Sequence, residues 1–270
     1  MYKLLKAGFF RLRKDIIFWL FIFMTIGISG YTLYRYSFVD NVILDDLVNE
    51  FVMFIGLFIA IFVSIFVGKE YSEGIIRNKV IVGHSRISIY LSNLIISVIA
   101  SILCELIYLA IVLLIGTLIF GNLQIPLNQF FMSILNVILI ITAYCSIYNF
   151  ITMICSEITI STTICILLFI AMFIVEASFG LIANTSKYIT NSYWENGIEN
   201  IINQEPNPNY PGEQKVKIAR IIYLFIPQGQ ASEVGNCKTE YLYQMPIYSI
   251  ILISIINIGG IFLFSRKELK

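Results

Sequence analysis

Long apolar runs separated by short polar segments dominate the chain. A membrane-spanning helix takes about 20 apolar residues, and six runs approach or exceed that length. They are Ile16–Leu33, Phe51–Val67, Ile89–Phe120, Phe130–Ile154, Ile160–Ala183 and Pro246–Phe264. The third run is longer than one span needs, and we interpret it as one tilted or extended helix. The pattern predicts an all-α integral membrane protein with six transmembrane helices, five of them within residues 16–183 and the last within 246–270.

Residues 1–15 show a different pattern, with apolar and basic positions on opposite faces of a helix. Leu4, Gly8 and Leu12 recur at helical spacing, while Lys3 and Lys6 fall on the other side. This favours an amphipathic helix lying on the surface of an anionic membrane. The first apolar run lacks the small-residue cleavage site of a signal peptide, so we predict an uncleaved anchor.

The 69–86 segment between the second and third runs is strongly charged and must lie in water. Four of its residues recur at spacings that place them on one helical face. They are Glu70, Glu73, Gly74 and Arg77. We therefore predict a short, exposed helix, with Glu73 and Arg77 as a favourable i,i+4 ion pair. A simple solvated loop is the alternative.

Two further residues mark where this helix ends and where the next one begins. Gly83 is expected to end it, and Ser85 is expected to cap the helix that enters the third span.

Composition supports the membrane assignment. Hydrophobic residues make up 58% of the chain, charged residues 13%, and the mean hydropathy is +0.84, which is far too apolar for a soluble domain of this length. The net charge of +1 argues against nucleic acid as a partner. Lys and Arg are twice as frequent on the side that would hold both termini and the 69–86 segment, which predicts that side to be cytoplasmic.

Several kinds of catalytic site are missing from the sequence. It contains no GxxxxGK[ST] phosphate-binding loop and no GxSxG motif, and it has a single histidine. We therefore predict a chain that is not an enzyme and that holds neither a cofactor nor a metal of its own.

Two carboxylates lie inside predicted spans, Glu105 in the third and Glu176 in the fifth. A carboxylate in hydrocarbon is costly, so each is expected to face protein or water. A protonated group hydrogen-bonded within the bundle and a role in a substrate pathway or dimer contact both fit. An ion-coupled secondary transporter using these two residues is the alternative function.

The segment 184–245 is predicted to lie outside the cell. Asn203–Gly212 is rich in Asn, Glu and Pro and is typical of a loop. Val216–Ile226 is apolar with Lys217 and Arg220 interspersed, and Pro227 and Gly229 follow it.

The 69–86 segment resembles the cytoplasmic loop of permeases of the type-2 ATP-binding-cassette exporters (ABC-2 type). The family motif is a Glu, three residues, a Gly, a small or β-branched residue, an apolar residue and a base. Here it stands as Glu70, Gly74, Ile75, Ile76 and Arg77, with Ile75 where family members often carry Thr. Val216–Ile226 resembles the outer half-helix of the family, and the resemblance implies a turn at Pro227 and Gly229 after it. The charged ending Ser265–Lys270 also resembles the family.

The resemblance implies a permease subunit of an exporter in the bacterial plasma membrane, with both termini cytoplasmic and membrane lipids around it. A separate cytoplasmic ATPase would bind ATP and Mg, and a second permease, identical or paralogous, would complete the transporter. The substrate would be amphipathic, such as a peptide antibiotic or a lipid-linked compound, for export, self-immunity or resistance. The residues implied in coupling to the ATPase are Glu70, Glu73, Gly74, Arg77, Lys79, Ser85 and Arg86.

Overall fold

The computed structural model describes residues 1–39, 42–155, 157–195, 198–237 and 241–267, and the side chains of these residues except at 190–203. The helices are α1 Tyr2–Lys14, α2 Ile16–Tyr36, α3 Asp45–Val48, α4 Val52–Ser72, α5 Ile75–Ile81, α6 Arg86–Phe120, α7 Leu127–Cys155, α8 Ile158–Ala183, α9 Glu213–Phe225, α10 Pro227–Gly235 and α11 Met245–Arg266. Two strands, β1 Tyr188–Glu195 and β2 Ile198–Pro206, lie between α8 and α9. The end of the predicted tail, residues 268–270, lies outside the described residues.

Within these described ranges, six helices are long and apolar enough to cross a membrane: α2, α4 together with α3, α6, α7, α8 and α11. They match the six predicted apolar runs, so the prediction of a helical multi-pass membrane architecture is confirmed. The third run forms one unbroken helix of 35 residues. The side chain of Ser85 accepts a hydrogen bond from the backbone N–H of Ser88 at its start, as a capping residue does.

The spanning helices run up and down between two ends, which we call the α5 end and the α10 end. At the α5 end, Lys69 near the end of α4 contacts Asp15 at the start of α2, with 2.9 Å between Nζ and Oδ2. At the α10 end, Arg35 at the other end of α2 lies 2.8 Å from Glu50, just before α4. Helix α1 and the loop around α5 therefore share one end, and the end of α11 lies there too, because the Arg86 guanidinium donates to the carbonyl oxygen of Phe264.

Helix α4 forms the centre of the bundle. It packs against α2, α7 and α8 and contributes the largest set of fully buried apolar side chains. Helices α8 and α11 bury little of their surface and leave rows of Ile, Leu and Phe exposed. Such apolar outer faces are typical of helices that contact lipid.

The prediction of an all-α chain is wrong in one segment. Strands β1 and β2 form an antiparallel hairpin with one register irregularity between Asn191 and Ser192. Asn203 and the next three residues, predicted as loop, belong to β2. The segment 188–195 is rich in Tyr, Ile, Thr and Trp, which favour strands, and the polar composition of the residues that follow hid this signal.

The expected turn at Pro227 and Gly229 is also wrong. Helix α9 ends at Phe225, Ile226 is extended, and Pro227 begins α10. Proline suits this first helical position because its missing N–H is not needed there. A residue without a side chain is required at position 229, because a Cβ there would lie 2.0 Å from the carbonyl oxygen of Tyr223.

Candidate functional site

The 69–86 segment does not form one amphiphilic helix. Helix α4 continues through Glu70 to Ser72, and Gly74 adopts a left-handed backbone with φ of +67° before α5 begins at Ile75. A glycine in this conformation is a common helix terminator because it has no Cβ to clash. Glu70 and Arg77 therefore lie on different helices, and the predicted common face does not exist.

The helical spacing predicts an exposed Glu70, and this prediction is also wrong. Glu70 is 1% exposed, and three side chains from other helices converge on it. Lys79 Nζ lies 2.5 Å and Arg11 Nη1 2.6 Å from Oε1, while Asn93 Nδ2 donates to Oε2 at 2.7 Å. Two cations and an amide compensate the cost of burying this carboxylate. We call Glu70, Arg11, Lys79 and Asn93 the Glu70 cluster.

The cluster joins four helices at one carboxylate: α1, α4, α5 and α6. Arg11 also stacks over the ring of Phe66, with 4.0 Å between Cζ and the ring centroid. Lys79 is mostly buried, and this burial lowers its pKa while the charge of Glu70 acts in the opposite direction. The Lys79 ammonium therefore depends on Glu70 for its stabilisation.

Helix α1 reaches the cluster because its apolar face packs on the protein. Leu4, Gly8 and Leu12 are buried, and a Cβ on Gly8 would lie 2.0 Å from Ile96 Cδ1 of α6. The amphipathic pattern predicted for residues 1–15 is thus satisfied by contact with α6. Its position on a membrane surface stays a prediction.

A second set of contacts holds the end of α11 beside the cluster. The Arg86 guanidinium donates to the carbonyl oxygens of Phe264 and Ser265 at 3.2 Å and to that of Lys267. Lys267 Nζ in turn donates to the carbonyl oxygen of Ile154 at 2.7 Å. Arg86, implied in coupling by the resemblance, therefore ties α6 to the last helix.

The outward side of α5 carries a different set of residues. Ile76 faces inward and is buried, whereas Arg77 is exposed and Ile81 and Val82 are 72% and 76% exposed. We call Arg77, Ile81 and Val82 the loop tip. Glu73 is exposed as well, and among the ion pairs of the described residues there is none between Glu73 and Arg77.

The two carboxylates inside the spans lie in separate places. Glu105 is 7% exposed and lines a cavity of about 120 Å³ between α6 and α7. Glu176 is half-buried and lines an open cavity of about 460 Å³ with Tyr223 of α9. The structure does not bring them into one site.

Helix α10 was missed by sequence reasoning, although all nine of its residues are buried. Gln228 accepts from the Tyr144 hydroxyl at 2.6 Å and donates to the carbonyl oxygen of Met53 at 3.1 Å. Gln230 accepts from Ser249 at 2.5 Å. Polar side chains therefore fix α10 inside the bundle at the end opposite to α5.

Arg11 and Asn93 were also missed as members of the Glu70 cluster. Arg11 follows Gly8 by three and Leu4 by seven positions, which places it on the apolar face of α1. A base on the buried face of an amphipathic helix signals a buried partner.

Within the described ranges, no group of three or more His, Cys, Asp or Glu side chains could hold a metal ion.

No model of a known protein family matches the chain, and no curated protein matches it.

Proposed function

We propose that the chain is the permease subunit of a type-2 ATP-binding-cassette exporter, with α5 as the element that docks onto a separate cytoplasmic ATPase. The observation that carries this proposal is the two-sided character of α5. Its inner side is held by the buried Lys79–Glu70 pair, and its outer side leaves Ile81 and Val82 exposed. A fixed backbone that exposes apolar side chains is typical of a partner-binding surface.

The Glu70 cluster would allow α5 to act on the spanning helices. A force on the loop tip must either break the Lys79–Glu70 pair or move the helices attached to it. Breaking a buried ion pair is costly, on the order of 3–5 kcal/mol, so movement of α1, α4 and α6 with α5 is favoured. ATPase closure would in this way reach three helices through one carboxylate.

The roles first implied for the loop residues are revised accordingly. We propose Glu70 and Lys79 as positioning residues that do not touch the ATPase. Glu73 and the loop tip would make the contact. Gly74 would set the angle between α4 and α5, and Ser85 would start α6.

The arrangement of the two ends supports the proposed orientation. Helix α1, the 69–86 segment and the end of α11 share the α5 end, which carries most of the Lys and Arg residues and would face the cytoplasm of a bacterial cell. The exposed apolar faces of the outer helices would meet lipid and a second permease, identical or paralogous. ATP and Mg would be bound by the partner ATPase, and the substrate would be amphipathic.

The alternative of an ion-coupled secondary transporter receives less support. It would use Glu105 and Glu176 together, and these residues line different cavities.

Co-purification from the native host in mild detergent tests the proposal. The wild-type chain should bring down a protein that carries a GxxxxGK[ST] sequence and hydrolyses ATP. The double variant Ile81→Ser, Val82→Ser should lose this partner, since it removes the apolar contact without touching the Glu70 cluster. Leu127→Ser, an equally exposed site at the α10 end, is the matched control and should retain it. An ATPase that is absent from the wild-type sample, or equally present in both variants, would contradict the proposal.

A further inference from the structure

The cavity beside Glu105 has the features of a binding site. Its inner wall is formed by buried apolar residues of α7, Val137 and Ile141, and its rim by Leu106 and Ile138. Both rim residues are exposed on the apolar outer surface of the bundle. The cavity therefore opens sideways, towards the region that lipid chains would occupy.

The carboxylate of Glu105 is poorly satisfied where it stands. Its Oε2 atom is buried and has no hydrogen-bond partner among the described residues, and no cationic side chain lines the cavity. Asn49, the other polar residue in the wall, donates to Ser133 Oγ at 2.8 Å. Protonation alone would not remove the deficit, because the new O–H would also need an acceptor. A buried oxygen of this kind calls for a donor from outside the chain.

We propose that this cavity binds the primary ammonium group of a linear amphiphile. An ammonium group offers three N–H donors and a positive charge to the Glu105 carboxylate, and the apolar walls suit the first methylene groups behind it. The volume of about 120 Å³ equals the share of about four water molecules in the liquid. That is room for the head of a linear chain, whose remainder would leave between Leu106 and Ile138 into lipid.

The position of the cavity fits such a ligand. Asn49 lies just before α4 begins, so its presence in the wall shows that the cavity extends from Glu105 towards the α10 end. An amine could therefore approach Glu105 from the side of the cavity nearest the α10 end.

Photo-crosslinking of the purified permease in phosphatidylcholine nanodiscs tests the proposal. The probe is a twelve-carbon primary amine with a diazirine a few carbons along the chain from the nitrogen, compared with the matching alcohol and trimethylammonium compounds. The amine should label residues of α6 and α7 around the cavity. The alcohol lacks the charge and the trimethylammonium compound lacks the N–H donors, so each should label these residues at least roughly tenfold less.

Two variants and a control make the test specific. Glu105→Gln, nearly identical in shape, should lower amine labelling by roughly tenfold, and Ile138→Phe should lower it by narrowing the mouth while leaving the carboxylate in place. Glu176→Gln, the matched change in another spanning helix, should not alter it. Equal labelling by amine and alcohol, or labelling that persists in Glu105→Gln, would overturn the proposal.

Competition then identifies the source of the amine. Displacement of the probe by phosphatidylethanolamine would indicate a lipid headgroup, and displacement by a lysine-containing amphipathic peptide would indicate a peptide side chain. The inference does not depend on the proposed function, because binding is measured without any ATPase. Failure here would leave the docking proposal untouched, and loss of the ATPase partner would leave this site untouched.

Discussion

Glu70→Gln is the change whose effect depends most strongly on the structure. The variant keeps the size of the side chain but removes the negative charge that balances Arg11 and Lys79. Removing one partner of a buried ion pair costs about 3–5 kcal/mol. The Arg11 and Lys79 side chains are 21% and 14% exposed. Water can therefore solvate part of the charge left without a partner, and we expect the lower cost, about 3 kcal/mol. If Glu70 were on an exposed face, as the helical spacing alone predicts, the cost would be close to zero.

Thermal unfolding of the purified protein in a mild detergent measures this cost. One kcal/mol shifts the Tm of a chain of this size by about 2–4 °C, so Glu70→Gln should lower it by about 6–12 °C. Glu73→Gln, three positions away and exposed, is the control and should change the Tm by about 2 °C or less. A double-mutant cycle with Lys79→Met should show that the two changes are not additive, because they remove the same interaction. Equal Tm values for the two glutamine variants would refute the buried cluster.

Other positions give further predictions. Gly74→Val forces a branched side chain into a left-handed backbone and should cost about 1–2 kcal/mol and weaken ATPase co-purification, while Gly259→Val, where a Cβ meets nothing within 4 Å, should do neither. Gly229→Ala places a Cβ against a backbone carbonyl, so the yield of folded protein by size-exclusion chromatography should fall. A cysteine at Asn209 should react with a membrane-impermeant thiol reagent in intact cells, and one at Asn78 should react after lysis alone.

For the labelling experiment, native Cys237 is predicted to lie on the same side as Asn209, but burial raises its pKa to about 11, so its background reaction should be weak. The reverse labelling pattern would overturn the proposed orientation. A Gly74→Val protein that binds the ATPase normally would show that the angle between α4 and α5 is unimportant. Normal folding of Gly229→Ala would mean that α10 can shift.

The spanning helices could be predicted because each one corresponds to a continuous apolar stretch of the sequence. Apolar length alone locates α6 and α11, and Ser85 marks the start of α6 by its capping chemistry. Such local signals need no knowledge of distant neighbours.

The surroundings of Glu70 could not be predicted in the same way. Its partner Arg11 lies on another helix, 59 positions earlier in the chain, and nothing near Glu70 in the sequence points to it. The helical spacing that suggested a common face with Arg77 assumed an unbroken helix, and the left-handed backbone of Gly74 breaks it.

Helix α10 shows a related difficulty. Most of its residues are polar or small, with Gln, Ser and Glu among them, so a hydrophobic pattern cannot reveal that it is buried. Its burial depends on partners in α4, α7 and α11, such as Tyr144 and Ser249. The hairpin of β1 and β2 was missed because the Asn, Gln, Glu and Pro residues of β2 are typical of a loop, although β1 carries residues that favour strands.

Site-specific photo-crosslinking in living cells tests the proposed docking role of α5 most directly. A photoreactive amino acid at Val82 replaces a loop-tip side chain that is 76% exposed, and the same residue at Leu127 reports on the opposite end of the bundle. Val82 should form an adduct containing peptides of an ATPase with a GxxxxGK[ST] sequence, and Leu127 should not. An ATPase adduct from neither position, or from both positions alike, would contradict the proposed docking role.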